Sequence, residues 1–218
     1  MNKDSLQLTD TQSASLIIPY KIKLDSLMSE VLCYNEQDLN KQLPEGTIGN
    51  FVCDELMDYA AKNYNKPVDF CIYNHGGLRV GSIAKGNISV GKIFELAPFD
   101  NYLVVVELGG ADCKKLFDLV AENNGTPCSK ELRLSISNNK IVNATINNTV
   151  FDENKTYAII TNDYVANGGD KTEPMKNAKS VTNLNIMVRD ALINNLRIKG
   201  KNGQSVKSTL DGRIEQVK

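Results

Sequence analysis

The sequence has a single histidine, His75, among 218 residues. It has no Asp-x-His, Gly-Asn-His or Gly-His-x-His segment. A two-metal hydrolase needs imidazoles and carboxylates in a cluster to bind the ions and activate water, so the chain looks built to bind rather than to react. A formal net charge of -1 removes the electrostatic case for nucleic acid. No apolar run is long enough to span a membrane. No secretory leader is visible, because Met1 runs straight into Asn2-Lys3-Asp4; a cytosolic protein or one that has lost its leader is expected. The five cysteines stand singly, so they cannot all pair within one chain and none resembles part of a zinc knuckle. Cys53 and Cys71, in apolar settings, are expected to be buried thiols. Cys128, after Gly125-Thr126-Pro127, is expected to be the exposed one.

With 41% hydrophobic and 23% charged residues, the composition is that of a soluble globular protein. The length suits one large domain with extensions: a flexible segment at 1–14, a domain at 15–198 and a tail at 199–218 with a short strand near Gly212–Glu215. Between Ser15 and Leu32, Leu16, Ile17, Tyr20, Leu24, Leu27, Met28 and Val31 recur at helical spacing. Thr47 can cap a helix whose face is Ile48, Phe51, Val52, Leu56, Tyr59 and Ala60. Val68–Tyr73 predicts a buried strand, Ile88–Leu96 a short helix, Tyr102–Leu108 a dense strand, and Gly109-Gly110 with Ala111 start a helix that runs through Val120. Leu132–Ser137 and Lys140–Ile146 predict a hairpin through Asn138-Asn139. Tyr157–Thr161 predicts a strand and Leu184–Ile198 a last helix. The fold class is therefore α+β, a mixed sheet flanked by helices.

Two segments carry the chemistry. In Asn74-His75-Gly76-Gly77-Leu78-Arg79 and in Asn162-Asp163-Tyr164-Val165-Ala166-Asn167-Gly168-Gly169-Asp170, a glycine pair stands beside amides, charges or an aromatic. Paired glycines let backbone turn or approach a ligand where a Cβ would clash. An Arg can pair with a phosphate, an Asp can accept from hydroxyls and an aromatic can stack on a flat ring. Each residue has a plainer reading. Arg79 could close a surface salt bridge. His75, with no Cys, Ser or carboxylate partner at recognisable spacing, reads as a turn residue rather than a catalyst. Phe99 is either a core plug or a stacking platform. Asp163 and Asp170 could be solvated loop acids, since two carboxylates alone make a weak metal site. Gly200-Lys201-Asn202-Gly203 lacks the strand and Gly-Lys-Ser/Thr of a phosphate loop and reads as a tail turn.

Four segments in order resemble the C-terminal domain of the 5′-nucleotidase family. They are Gly49-Asn50-Phe51-Val52-Cys53-Asp54, the Asn74–Arg79 segment, Pro98-Phe99-Asp100-Asn101 and the Asn162–Asp170 segment. The resemblance covers residues 15 to 198. It implies an N-terminal metallophosphatase domain, absent from this sequence, that carries two divalent metals and the catalytic groups. It also implies that this domain holds the nucleoside: Asn74 bonding the base, Phe99 and Tyr164 sandwiching it, Asp170 accepting from ribose hydroxyls and Arg79 on the phosphate or ribose side. Gly76, Gly77, Asn101, Asn167, Gly168 and Gly169 complete the expected substrate-binding set. No catalytic residue, metal ligand or cofactor is expected in this chain. A further Arg common in the family before Gly49 is missing, and only Lys41 could replace it. The resemblance implies a periplasmic or cell-envelope location, and the lack of a leader leaves the cytoplasm open. Three functions follow: a nucleotide-recognition domain working with a metallophosphatase domain on another chain or a removed part of the same chain, a self-sufficient hydrolase, or an interaction protein with a vestigial site.

Overall fold

A computed structural model describes residues 10–217, so the part of the expected flexible segment at 1–9 lies outside the described residues. In chain order the elements are α1 (Asp10–Met28), β1 (Val31–Asn35), β2 (Leu39–Asn40), α2 (Thr47–Asn63), β3 (Phe70–Cys71), β4 (Ser82–Ile83), β5 (Gly86–Ser89) and α3 (Val90–Leu96). There follow β6 (Tyr102–Gly109), α4 (Gly110–Glu122), β7 (Leu132–Ser137), β8 (Lys140–Ile146), β9 (Thr149–Val150), β10 (Thr156–Asn162) and α5 (Asp163–Ala166). The chain closes with β11 (Ser180–Met187), α6 (Val188–Lys201), β12 (Ser205–Val206) and β13 (Ile214–Gln216).

The centre is a four-stranded sheet in the order β11-β6-β10-β3. β10 runs antiparallel to β6 and parallel to β3, so the sheet is mixed. Side chains alternate across a strand, and here both faces are apolar. Leu103, Val105, Ile160 and Cys71 join one core with α2, α3 and α6. Val104, Val106, Leu108, Ile159 and Phe70 join a second with α4 and the β7–β8 hairpin. That double burial is why Leu103–Val106 and Phe70–Tyr73 read as unbroken apolar runs. The fold class is the mixed α/β arrangement that the pattern predicts, with helices on the sheet. In the hairpin, Asn138 and Asn139 both take positive φ, at 50° and 58°, the geometry of a two-residue turn that Asn tolerates.

Local departures have physical causes. α1 begins earlier than Ser15 and stops at Met28, and Val31 is already in β1. Ile17, Ile18, Tyr20, Ile22, Leu24 and Leu27 are all exposed. Helical spacing says which residues share a face, not that anything packs on it. The expected helix at Leu184–Ile198 is instead the end of β11 followed by α6 from Val188. Ile88 is in β5, and α3 starts at Val90 after Ser89, whose hydroxyl accepts from Lys92 N at 3.3 Å.

The last residues are woven into the body. β12 pairs with β1, and β13 runs parallel to β7. Beside β13, Arg213 is 3% exposed and forks onto Asp54 of α2 at 2.9 and 3.1 Å. Between α2 and α6, Glu55 is buried against Asn195 and Lys199. Burial pushes the Glu55 carboxyl above its usual range, while Glu55 and Asp58 outweigh burial at Lys199 and hold its ammonium up.

The expectation that Cys128 is exposed is wrong. It is 1% exposed, bridges to Ile72 and packs in the second core. The Gly-Thr-Pro turn before it folds down onto the sheet rather than outwards, with Tyr73 N donating to Pro127 O at 2.9 Å. All five cysteines are buried and free. Burial pushes Cys33 to about 11 and Cys113 to about 12, and raises Cys53 and Cys128 well above the usual thiol range. The native protein should therefore show no rapidly reacting thiol in a colorimetric titration at pH 8, because all five are shut away from solvent and the reactive thiolate form is further suppressed at Cys33, Cys53, Cys113 and Cys128. All five should react in denaturant, and a fast native thiol would contradict this packing.

Candidate functional site

The site is assembled where the central sheet ends. β3 leads through Ile72 and Tyr73 into the Gly-Gly segment, and β10 leads directly into α5. Asn162 joins the two. It is fully buried, caps α5 by accepting from Val165 N at 2.8 Å, and donates from Nδ2 to Asn74 Oδ1 at 3.0 Å. The chain at 75–77 tightens into a 3-10 turn. Gly77 allows this, because a Cβ there would lie 2.7 Å from both Asn74 Oδ1 and Tyr73 Cε1.

One cavity of about 320 Å³ is lined by Asn74, Gly76, Arg79, Phe99, Asn101, Tyr164 and Asp170. Three separated segments thus bring seven of the expected residues together. Gly77 is buried beneath the turn. Asn167, Gly168 and Gly169 are not in the lining; they form the turn that carries Asp170. Gly169 has no room for a side chain, since a Cβ would sit 2.4 Å from the Tyr164 ring.

Asp170 is the hub of the polar contacts. Its Oδ2 accepts from Asn74 Nδ2 at 2.8 Å and its Oδ1 from the Tyr164 hydroxyl at 3.0 Å. Its backbone N also donates to that hydroxyl at 3.2 Å. Its φ is 52°, a left-handed conformation that costs a non-glycine residue about 1 kcal/mol or more and clusters at ligand sites. Each carboxylate oxygen retains acceptor capacity toward the cavity.

Phe99 and Tyr164 are each 45% exposed, so neither is a core plug. The Arg79 guanidinium lies 5.8 Å from the Phe99 ring centroid and donates to Gly76 O at 3.4 Å. Lys41 Nζ donates to Leu78 O at 2.7 Å, which brings a second cation beside Arg79. Burial, then the Arg79 charge, lower the Lys41 ammonium below its usual range. Among the described residues neither cation has a carboxylate partner within ion-pair distance. The salt-bridge reading of Arg79 therefore finds no support. Asp163, the other acid of the second segment, accepts from Tyr102 N at 3.1 Å. Among the described residues, no three or more His, Cys, Asp or Glu side chains cluster as a metal site would need.

A sequence profile described as "5'-nucleotidase, C-terminal domain" matches residues 29–177. The chain belongs to that family. A trifunctional nucleotide phosphoesterase of Bacillus subtilis is 26% identical over 91% of this chain and 14% of its own length. A cell wall protein of Listeria monocytogenes is 26% identical over 78% of this chain and 23% of its own. The crystal structure of a 5′-nucleotidase precursor from Thermus thermophilus superposes with a TM-score of 0.78 at 26% identity, covering 95% of this chain and 43% of that one. The chain thus spans less than half the length of each of these relatives.

Within this 5′-nucleotidase C-terminal domain, two residues beside the expected set hold the site. Asn162 links the two glycine-pair loops; it opens the second of the singled-out segments, but its sequence signal is that of a capping Asn before a short helix and not of this cross-link. Arg189 holds the Phe99 loop from α6, and nothing in its sequence neighbourhood marks it. His75 stands at the turn with its imidazole partly buried. Burial first, then the Lys41 charge, lower it below the ordinary 6.5. Its folded-state value lies below the unfolded one, so its contribution to stability is present above about pH 6.5 and is lost as pH falls through the folded value. As the only histidine, it gives one resolvable imidazole signal by proton NMR. That signal should titrate below 6.5 in the native chain, and a midpoint above 6.5 would contradict this environment.

Proposed function

We propose that this chain is the nucleotide-recognition part of a 5′-nucleotidase-type phosphohydrolase. It grips the nucleoside and presents the phosphate to a metallophosphatase domain carried by another chain or by another part of the same polypeptide. The observation that carries this reading is the single cavity to which three segments deliver two exposed aromatics, a carboxylate with spare acceptors and an Arg with no carboxylate partner among the described residues. Phe99 and Tyr164 stack on the two faces of the base, and such stacking tolerates any base because every base has a π-face. Asn74 spends one amide hydrogen on Asp170 and one lone pair on Asn162, which leaves a donor and an acceptor for the base. Asp170 accepts from the vicinal ribose hydroxyls. Arg79, with Lys41 behind it, faces the phosphate side. The metals that activate water belong to the other domain, so they supply the hydrolytic step there and this chain supplies orientation. The likeness to a cell wall protein supports a place in the periplasm or cell envelope.

The full chain alone is expected to hydrolyse no nucleotide. The test is incubation with AMP, ADP and UDP-glucose plus Mn²⁺ or Zn²⁺. Turnover above a buffer blank that disappears in Asp170→Ala would overturn the division of labour. Adding a matching metallophosphatase domain should restore both turnover and tight binding, because it closes the cleft and brings the ions.

A further inference from the structure

Phe99 lies in a loop, 97–101, with no helix or strand of its own. Its ring is half exposed, with the Arg79 guanidinium 5.8 Å from its centroid. Nothing local fixes where that ring sits. The fixing comes from α6. Arg189 Nη1 donates to Pro98 O at 3.2 Å, and Nη2 donates to Asp100 Oδ1 at 2.8 Å. One guanidinium therefore holds the residues on both sides of Phe99. It is itself placed over the Phe94 ring, 4.3 Å from the centroid, and its side chain is only 10% exposed. The neighbouring backbone adds a further tie, Val188 N to Asn101 O at 2.9 Å. Asp163, next to Tyr164, accepts from Tyr102 N. The loop bearing one aromatic is thereby referenced both to α6 and to the segment bearing the other.

We propose that Arg189 is a positioning residue for base recognition: through Pro98 and Asp100 it sets the place of Phe99 and hence the width of the aromatic gap. This rests on the reading of Phe99 as a stacking platform. Arg189 is not in the cavity lining, and both of its Nη atoms bond the loop, so it acts through Phe99 and not on the ligand. A purely structural Arg189 would lower stability and weaken binding in any background. A positioning Arg189 matters only while the ring it positions is present.

The test is a double-mutant cycle on the full chain, with adenosine binding followed by ligand-observed NMR. The variants are Arg189→Met, Asp100→Asn, Phe99→Leu and the combinations of the first two with the third. Arg189→Met should weaken binding about three- to tenfold in the native background, part of what one stacked base contributes. It should have little further effect once Phe99→Leu is present. Asp100 is 73% exposed, so Asp100→Asn leaves the fold intact. It should show the same coupling to Phe99 at a smaller size, even if Arg189→Met does not fold. Equal losses with and without Phe99, or no loss in either positioning variant, would overturn the proposal. If Phe99→Leu itself leaves affinity unchanged, the stacking reading fails first and the proposal falls with it. If Phe99→Leu weakens binding while Asp100→Asn does not couple to it, the proposal fails alone.

Discussion

Arg213→Met should destabilise the chain by about 3–5 kcal/mol, the cost of stranding buried charges that have lost their partner. The guanidinium is saturated. It forks onto Asp54 at 2.9 and 3.1 Å, reaches Asp211 at 3.1 and 2.8 Å, and donates to Cys128 O at 3.0 Å. Glu45, itself 8% exposed, lies at 3.8 Å. Asp54 and Asp211 are each about a third exposed, so water can partly take over, which favours the lower end of that range. Asp54 already feels its burial, which raises its carboxyl above the usual range despite the Arg213 charge. Without Arg213 it would be raised further, and the loss should shrink as the pH falls and the acids become neutral. Urea unfolding with an unchanged m-value is the measurement. A loss below about 1 kcal/mol would show the network to be solvated. The consequence for function is mechanical. Arg213 joins the last strand to α2 and to Cys128, one residue from the Pro127 carbonyl that holds Tyr73 at the root of the Asn74 loop.

Tyr164→Ala should weaken adenosine binding about tenfold or more and leave the fold intact. A base stacked on an aromatic contributes about 1–3 kcal/mol, and a factor of ten is about 1.4 kcal/mol. The ring is half exposed, so its removal opens no core cavity. A second loss arises at Asp170, whose carboxylate and backbone N both bond the Tyr164 hydroxyl. Tyr164→Phe separates the two: it keeps the stacking face and should lose only about threefold, the size of one net hydrogen bond. With a base bound, the planes of Tyr164 and Phe99 should stand about 7 Å apart, twice the ~3.5 Å contact between carbon atoms. Equal affinity in Tyr164→Ala and the native chain, measured by calorimetry, would remove the aromatic clamp from the account.

The central strands were legible because both of their faces are buried, which makes Leu103–Val106 a continuous apolar run. β11 was not. It is an edge strand, Val181 and Asn183 are exposed and Asn185 takes a φ of 55°, so period-2 alternation is lost and its last residues merge with the helix that follows. The α1 spacing misled for the opposite reason: its apolar side chains from Ile17 to Leu27 stand in solvent, and Met28 at its end packs against the first core. At the site, glycine pairs and their polar neighbours could be read because backbone geometry demands them locally. Asn162 and Arg189 act across the fold, on residues 88 and 89 positions away, and linear spacing does not carry such contacts.

The central claim is that this chain alone holds a nucleoside through stacking and ribose contacts, and that tight phosphate binding needs the proposed metallophosphatase domain. Calorimetric titration of the full chain with adenosine and with AMP tests it most directly. The expected Kd is about 10 µM to 1 mM, because an open half-site buries only part of its ligand. AMP should bind within about tenfold of adenosine, since exposed Arg79 and Lys41 contacts add little in water. No heat with either ligand at millimolar concentration, or tight binding of AMP with none of adenosine, would contradict the account.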